Sequence, residues 1–150
     1  MSDDFTIFVD ADACPVVSET VDLARQASLS VVVVHNRHHE IERNEEHVTV
    51  KESGDRSDAA DHYIFNNLTE DDLVVTDDLG LAALVLSRGA DVIRFRVDRP
   101  TRDDIEMRLA MREASRRERA KKNRVTGPSE FTEKDRRRFR HVLGDYLNLN

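Results

Sequence analysis

Apolar residues recur along this chain with two periods. Runs rich in β-branched residues, "TIFVDA" from position 6, "LSVVVVH" from 29 and "DLVVT" from 72, have the length and continuity of strands buried on both faces of a parallel sheet. Between the first two, "PVVSETVDLARQA" carries apolar positions at helical spacing, and Pro15 suits a first helical turn, so the opening segment reads as a βαβ unit. "HVTVKE" alternates apolar and polar residues and predicts a third, more exposed strand. "RSDAADHYIFNNL" predicts a helix with Ser57 as its N-cap, "LAALVLSRGA" a helix closed by Gly89, and "DVIRF" a fifth strand. After Pro100, a helix opening with the capping-box-like pair Thr101 and Asp104 runs through "IEMRLAMREASRRERAKKN". "TGPSEFT" reads as a turn, and "EKDRRRFRHVLGDYLN" as a last helix capped by Thr132. Strands alternating with helices predict an α/β fold: a three-layer α/β/α sandwich with a mostly parallel sheet and right-handed crossovers. Ligands of such sheets bind beyond the carboxyl ends of the strands.

A length of 150 residues suits one domain with a full core. No apolar run is long enough to cross a bilayer, and the start "MSDDFTIFVD" is acidic where a signal peptide is basic, so the expected location is cytoplasmic, with no membrane partner. A single cysteine, Cys14, rules out an internal disulfide and a Cys-rich zinc site. The net charge of -7 hides an asymmetry: residues 112–140 hold 12 Lys or Arg against 5 Asp or Glu, whereas residues 1–111 hold 11 against 24. The basic stretch, Arg112 and Arg116 through Arg124 and then Arg136 to Arg140, has the footprint of a polyanion site with salt-sensitive, sequence-independent binding. It reads equally as a solvated helix face paired with the chain's own acids. Aromatic interleaving is limited to Phe131, Phe139 and Tyr146, which gives base stacking little support.

The candidate chemistry lies where strands end. Asp10 and Asp12 follow "TIFV", Asp77 and Asp78 follow "LVVT", and Asp55, Asp58 and Asp61 open a predicted helix on which Asp58 and Asp61 share a face. Two unit charges about 4 Å apart repel by roughly 4 kcal/mol at an effective dielectric near 20, so such a cluster needs protons, basic partners or a divalent ion. All-oxygen donors suit Mg²⁺ or Mn²⁺, and paired ions in such sites hydrolyse phosphodiesters with metal-activated water. Each acid alone has a plainer reading as a helix cap; the joint pattern favours the metal site. Cys14 could be activated by a helix N-terminus, with packing the plainer account. His38 and His39 read as a solvated loop and His62 as a surface position, although a ligand or proton-shuttle role is open to them. Leu81, Leu84 and Val85 read as core.

Four segments carry a resemblance: "VDADACPV", "SDAADHYI", "DDLVVTDDLGLAALVLSRGA" and the closing "GPSEFTEKDRRRFRHVL". Together they resemble the YaiI/YqxD family, a PIN-like branch, over almost the whole chain. The resemblance implies an α/β/α sandwich with a metal-dependent, ribonuclease-type site. By motif, Asp10 matches the first PIN acid, Asp61 the helix acid in its D-x-x-I context, and Asp78 the acid of the T-x-D step beside Thr76. These three are the implied catalytic residues. Asp12 and Asp58 join them as implied metal ligands, and Asp77 ranks lower because the pattern varies there. Thr76, Arg116 and Arg137 are the implied substrate contacts, Gly127 and Pro128 line the site or fix the last helix, and RNA is preferred to DNA. The chain departs from the pattern at "DLGLA", where the family reads "DIPLA", and at "RFRV", where it reads "NPRG". Three alternatives stand beside the nuclease: a non-catalytic nucleic-acid-binding module, a protein-interaction domain, and a haloacid dehalogenase-like phosphatase built on Asp10 and Asp12. The last lacks a Ser or Thr after "VVVVHN" and a suitably placed Lys, because Lys51 is the only one between Asp12 and Asp77.

Overall fold

A computed structural model of the chain describes residues 4–36, 41–56, 58–96, 102–122 and 130–150, without the side chains of 117–122. The expected βαβ opening is present as β1 (Thr6–Asp10), α1 (Val17–Gln26) and β2 (Ser30–His35). It is followed by β3 (Val48–Glu52), α2 (Ala59–Asn67), β4 (Leu73–Val75), α3 (Leu79–Ser87), β5 (Asp91–Ile93), α4 (Arg102–Lys122) and α5 (Glu133–Tyr146). All strand pairs are parallel, in the order β3-β2-β1-β4-β5.

The period-two alternation of each strand feeds two cores. Ile7, Val9, Val31, Val33, Leu73, Val75 and Ile93 face α1 and α5, where Val21, Ala24, Phe139 and Leu143 are buried. Phe8, Val34, Val74 and Val92 face the other way, onto Ala60 and Ile64 of α2, Leu81 and Val85 of α3, and Ile105 of α4. The result is a three-layer α/β/α sandwich. β3 is an edge strand, with Thr49 and Lys51 exposed and Val48 and Val50 half-buried, as its alternation requires. Among the described residues no helix is long and apolar enough to cross a membrane.

Several boundaries differ from the sequence reading, each for a local reason. α1 begins after Pro15, because the chain first makes a turn with Ala13 in the left-handed region (φ 61°) and closes its first helical bond from Thr20 to Val16. α3 starts two residues earlier than its apolar pattern, because Asp78 caps it through the Leu81 amide. Gly89 follows its C-cap at φ +86°, a conformation that Gly adopts without strain. Thr132 caps α5 in a reciprocal capping box with Asp135. Leu84, expected in the core, is 41% exposed: α3 buries Leu81, Ala82 and Val85 and turns Leu84 outward. The proposed cap residues Ser57 and Thr101, together with His38, His39, Arg124, Gly127 and Pro128, lie outside the described residues.

The strand order creates one special place. From β1 the chain moves to β2 and β3 on one side, and from β4 to β5 on the other. With crossover handedness fixed, α1 and α3 must then lie on opposite faces, as the two cores record. The carboxyl ends of β1 and β4 therefore open between diverging connections, the crevice where α/β sheets bind ligands.

Candidate functional site

Asp10 is the last residue of β1, and Thr76, Asp77 and Asp78 follow β4 immediately, so two neighbouring strands deliver their acids to this crevice. Alternation puts Asp10 on the Phe8 side of the sheet, toward α2, whose first turn supplies Asp61. Together Asp10, Asp12, Ala13, Ala60, Asp61, Thr76, Asp77, Asp78 and Phe95 line an open cavity of about 270 Å³.

Thr76 braces the centre. Its buried hydroxyl donates to Asp10 Oδ2 (3.0 Å) and accepts from the Asp78 amide (3.1 Å), tying the end of β1 to the start of α3. Asp78 Oδ1 accepts the Leu81 amide at 3.0 Å as the helix cap, so the plain reading of this acid and its place at the site both hold. Asp12 Oδ1 accepts the Asn36 amide (3.2 Å), joining the loop after β1 to the end of β2.

Burial, opposed by the Thr76 hydrogen bond and reinforced by Asp61, Asp12 and Asp78, raises the Asp10 carboxyl to about 7. Burial first, then Asp78 and Asp58, raises Asp61 to about 6, with His62 acting in the opposite sense. The charged neighbours acting on Asp10 are all acids, which is the electrostatic condition a cation relieves. The oxygen-only donor set fits a hard divalent ion. As placed, however, no three His, Cys, Asp or Glu side chains among the described residues form a closed cage, so ion binding requires the carboxylates to turn inward.

Asp77 differs from its neighbours. Its carboxylate accepts the Arg96 amide (3.3 Å) and faces Arg96 Nε at 3.4 Å and Arg94 Nε at 3.8 Å. Burial raises its carboxyl, while these contacts pull the other way. Asp58 is absent from the cavity lining; it sits at the N-cap position of α2, makes no capping bond, and lies 3.5 Å from Arg56 and 3.4 Å from His62. Arg116 is exposed on α4 beside Glu113 (3.6 Å), and Arg137 is exposed on α5; neither lines the cavity.

The inward-facing arginine of α5 is Arg136, a residue the sequence reading did not separate from its neighbours. It donates to the Pro15 carbonyl (2.7 Å) and to Glu19 (3.0 Å) and covers the Phe131 ring, 5.3 Å from its centre. Phe131 in turn meets Phe95 edge-on at 6.1 Å, and Phe95 lines the cavity. The strand-end rule applied to β5 points to Phe95. Cys14 packs against the first core, and burial pushes its thiol up to about 12, which removes it from thiolate chemistry.

The sequence profile of the family described as "Uncharacterized BCR, YaiI/YqxD family" matches residues 8–149. A UPF0178 protein of Bacillus velezensis is 38% identical over 144 residues, covering 95% of this chain and 85% of that protein. A UPF0178 protein of Bacillus cereus is 38% identical over 147 residues, covering 95% and 99%. A third, from Staphylococcus saprophyticus, is 32% identical over 143 residues, covering 95% and 93%. On a match spanning both strands of the acidic crevice and every helix around it, this chain belongs to the YaiI/YqxD family.

Proposed function

We propose that the protein is a metal-dependent phosphodiesterase that hydrolyses RNA, with Asp10, Asp61 and Asp78 holding Mg²⁺ or Mn²⁺ and Asp12 assisting. The observation that carries this reading is the convergence of these carboxylates on one cavity at the β1–β4 crevice, with Asp10 raised to about 7 among neighbours that are all acids. A bound divalent ion would supply charge neutralisation and a more acidic water. The chain's own residues set the frame: Thr76 orients Asp10, the α3 cap fixes Asp78, and α2 carries Asp61 in from the opposite wall. Asp77 is engaged by Arg94 and Arg96, so its role is to anchor the chain after β5 beside the cavity. Asp58 acts on Asp61 through space.

The binding-module reading keeps one supporting observation, the lack of a closed three-ligand group among the described residues. Calorimetric titration of metal-stripped protein with Mn²⁺ and Mg²⁺, followed by RNA cleavage assays, separates the two. The nuclease reading expects saturable binding and cleavage in the wild type, both lost in Asp10→Asn and Asp61→Asn. RNA binding without cleavage, unchanged in those variants and indifferent to metal, would establish the module instead.

A further inference from the structure

α4 is the least supported element of the fold. It is 21 residues and about 31 Å long, yet Ile105 is its only buried residue among those described, and every residue from Ala110 to Arg116 is exposed. Met107 and Met111 are 65% and 62% exposed; with Leu84 on the adjoining α3 they are the exposed large hydrophobics of the described residues. At about 100° per residue, Met107, Ala110, Met111 and Ala114 form one stripe on the side of α4 opposite Ile105. Solvated helix faces are polar, so an apolar stripe there calls for a covering surface.

The charges along α4 indicate what covers it. Asp103, Asp104 and Glu106 stand at its N-terminal end, and by helix position Arg117, Lys121 and Lys122 flank the same stripe at the other end. That pattern is self-complementary when reversed. A second α4 laid antiparallel, with the two-fold axis near position 112, sets Ala110 against Ala114 and brings Asp103 level with Lys121 and Glu106 level with Arg117. Small residues at the axis permit close approach, and the thioethers beside them fill irregular gaps. Glu118 is the one acid in the basic half of this face.

We propose that α4 is a self-docking surface through which two copies of this chain pair antiparallel, with Met107 and Met111 buried between them. One helix pair buries less than a standard interface, so the dimer is weak and forms in a concentration-dependent way. Exposed methionines give phosphate nothing to bind, which favours a protein occupant over nucleic acid for this stripe.

Sedimentation velocity on the full chain across a wide concentration range tests the proposal, and it is independent of whether the acidic crevice cuts RNA. The wild type should pass from monomer to dimer, and Met111→Glu should weaken pairing by on the order of tenfold or more in Kd. Glu106→Arg and Arg117→Glu should each weaken it, and the double variant should restore it, because the swapped charges meet again only in the antiparallel arrangement. Native-like thermal melting of each variant controls for folding. A chain that stays monomeric throughout, a dimer indifferent to Met111→Glu, or single losses that the double variant does not rescue would overturn the inference. Salt-sensitive RNA binding by a monomeric protein, lost on Arg112→Ala and Arg116→Ala, would reassign the helix to nucleic acid.

Discussion

The two ends of the sheet treat the same residue type in opposite ways. At the amino end, Asp72 is buried, yet its carboxylate accepts the backbone amides of Thr6 (2.9 Å) and Thr69 (2.8 Å). Asp91 at the start of β5 accepts the Tyr146 hydroxyl at 2.7 Å. At the carboxyl end, Asp10 has the Thr76 hydroxyl and otherwise faces Asp61, Asp12 and Asp78. A buried carboxylate surrounded by donors serves the fold; one surrounded by carboxylates is a cost that a bound cation or proton offsets.

The largest effects belong to the carboxyl end. Asp10→Asn or Asp61→Asn should abolish stabilisation by Mn²⁺ and, under the proposed function, reduce RNA cleavage on the order of a hundredfold or more, as expected when several kcal/mol of charge stabilisation is lost. The same variants should raise the melting temperature of the metal-free protein, since each removes a repelled charge. A lower metal-free melting temperature in both would mean that these acids support the fold as Asp72 does.

At the amino end the sign reverses. Asp72→Ala leaves two amides without their acceptor and should cost about 2–4 kcal/mol, read as a melting temperature lower by roughly 5–10 °C, with no change in the response to Mn²⁺. An unchanged melting temperature would show that water replaces the carboxylate at that edge.

Acidity separates the two ends more finely. Asp10 at about 7 and Asp61 at about 6 lie above the ordinary value of 3.8. Between those values the folded chain holds protons that the unfolded chain has released, so stability is lost as pH rises from about 4 to about 7. The metal-free protein should therefore melt higher at pH 5 than at pH 8, and either Asp10→Asn or Mn²⁺ at pH 8 should flatten that slope. A melting temperature that falls on acidification across this range would contradict the repulsion described here.

This contrast explains what could be read from the chain. The buried strands were legible because "TIFV", "SVVVV" and "LVV" bury both faces, and the acids were legible as a group because the strands stop where they begin. The strand order was not, since local periodicity says nothing about which strands pair; yet the order alone puts β1 beside β4 and makes the crevice. Leu84 was misplaced because α3 is apolar nearly all round, so its sequence does not mark which side meets the sheet. Arg136 and Arg137 are chemically identical neighbours on α5, and about 100° of helix rotation decides that the first reaches Glu19 and the second reaches solvent. The Asp72 and Asp77 carboxylates look alike in sequence too, and only the tertiary donors, amides for one and Arg94 with Arg96 for the other, tell them apart.

The smallest effect is the most informative about how the crevice is tuned. Thr76→Val keeps the shape of a fully buried side chain but removes the donor to Asp10 and the acceptor of the Asp78 amide. The orphaned amide should cost about 1–3 kcal/mol. Because the Thr76 hydrogen bond is the influence holding the Asp10 carboxyl down, its loss lets burial and the neighbouring acids push that carboxyl higher. Ion binding that requires ionised Asp10 should then reach its midpoint at a higher pH, with affinity at alkaline pH near that of the wild type. Thr76→Ser, which keeps both hydrogen bonds, should restore the wild-type midpoint. Calorimetric titration with Mn²⁺ at several pH values reads this directly. Were Thr76 instead a contact to substrate, the valine variant would weaken RNA binding and leave the pH midpoint for Mn²⁺ where it was.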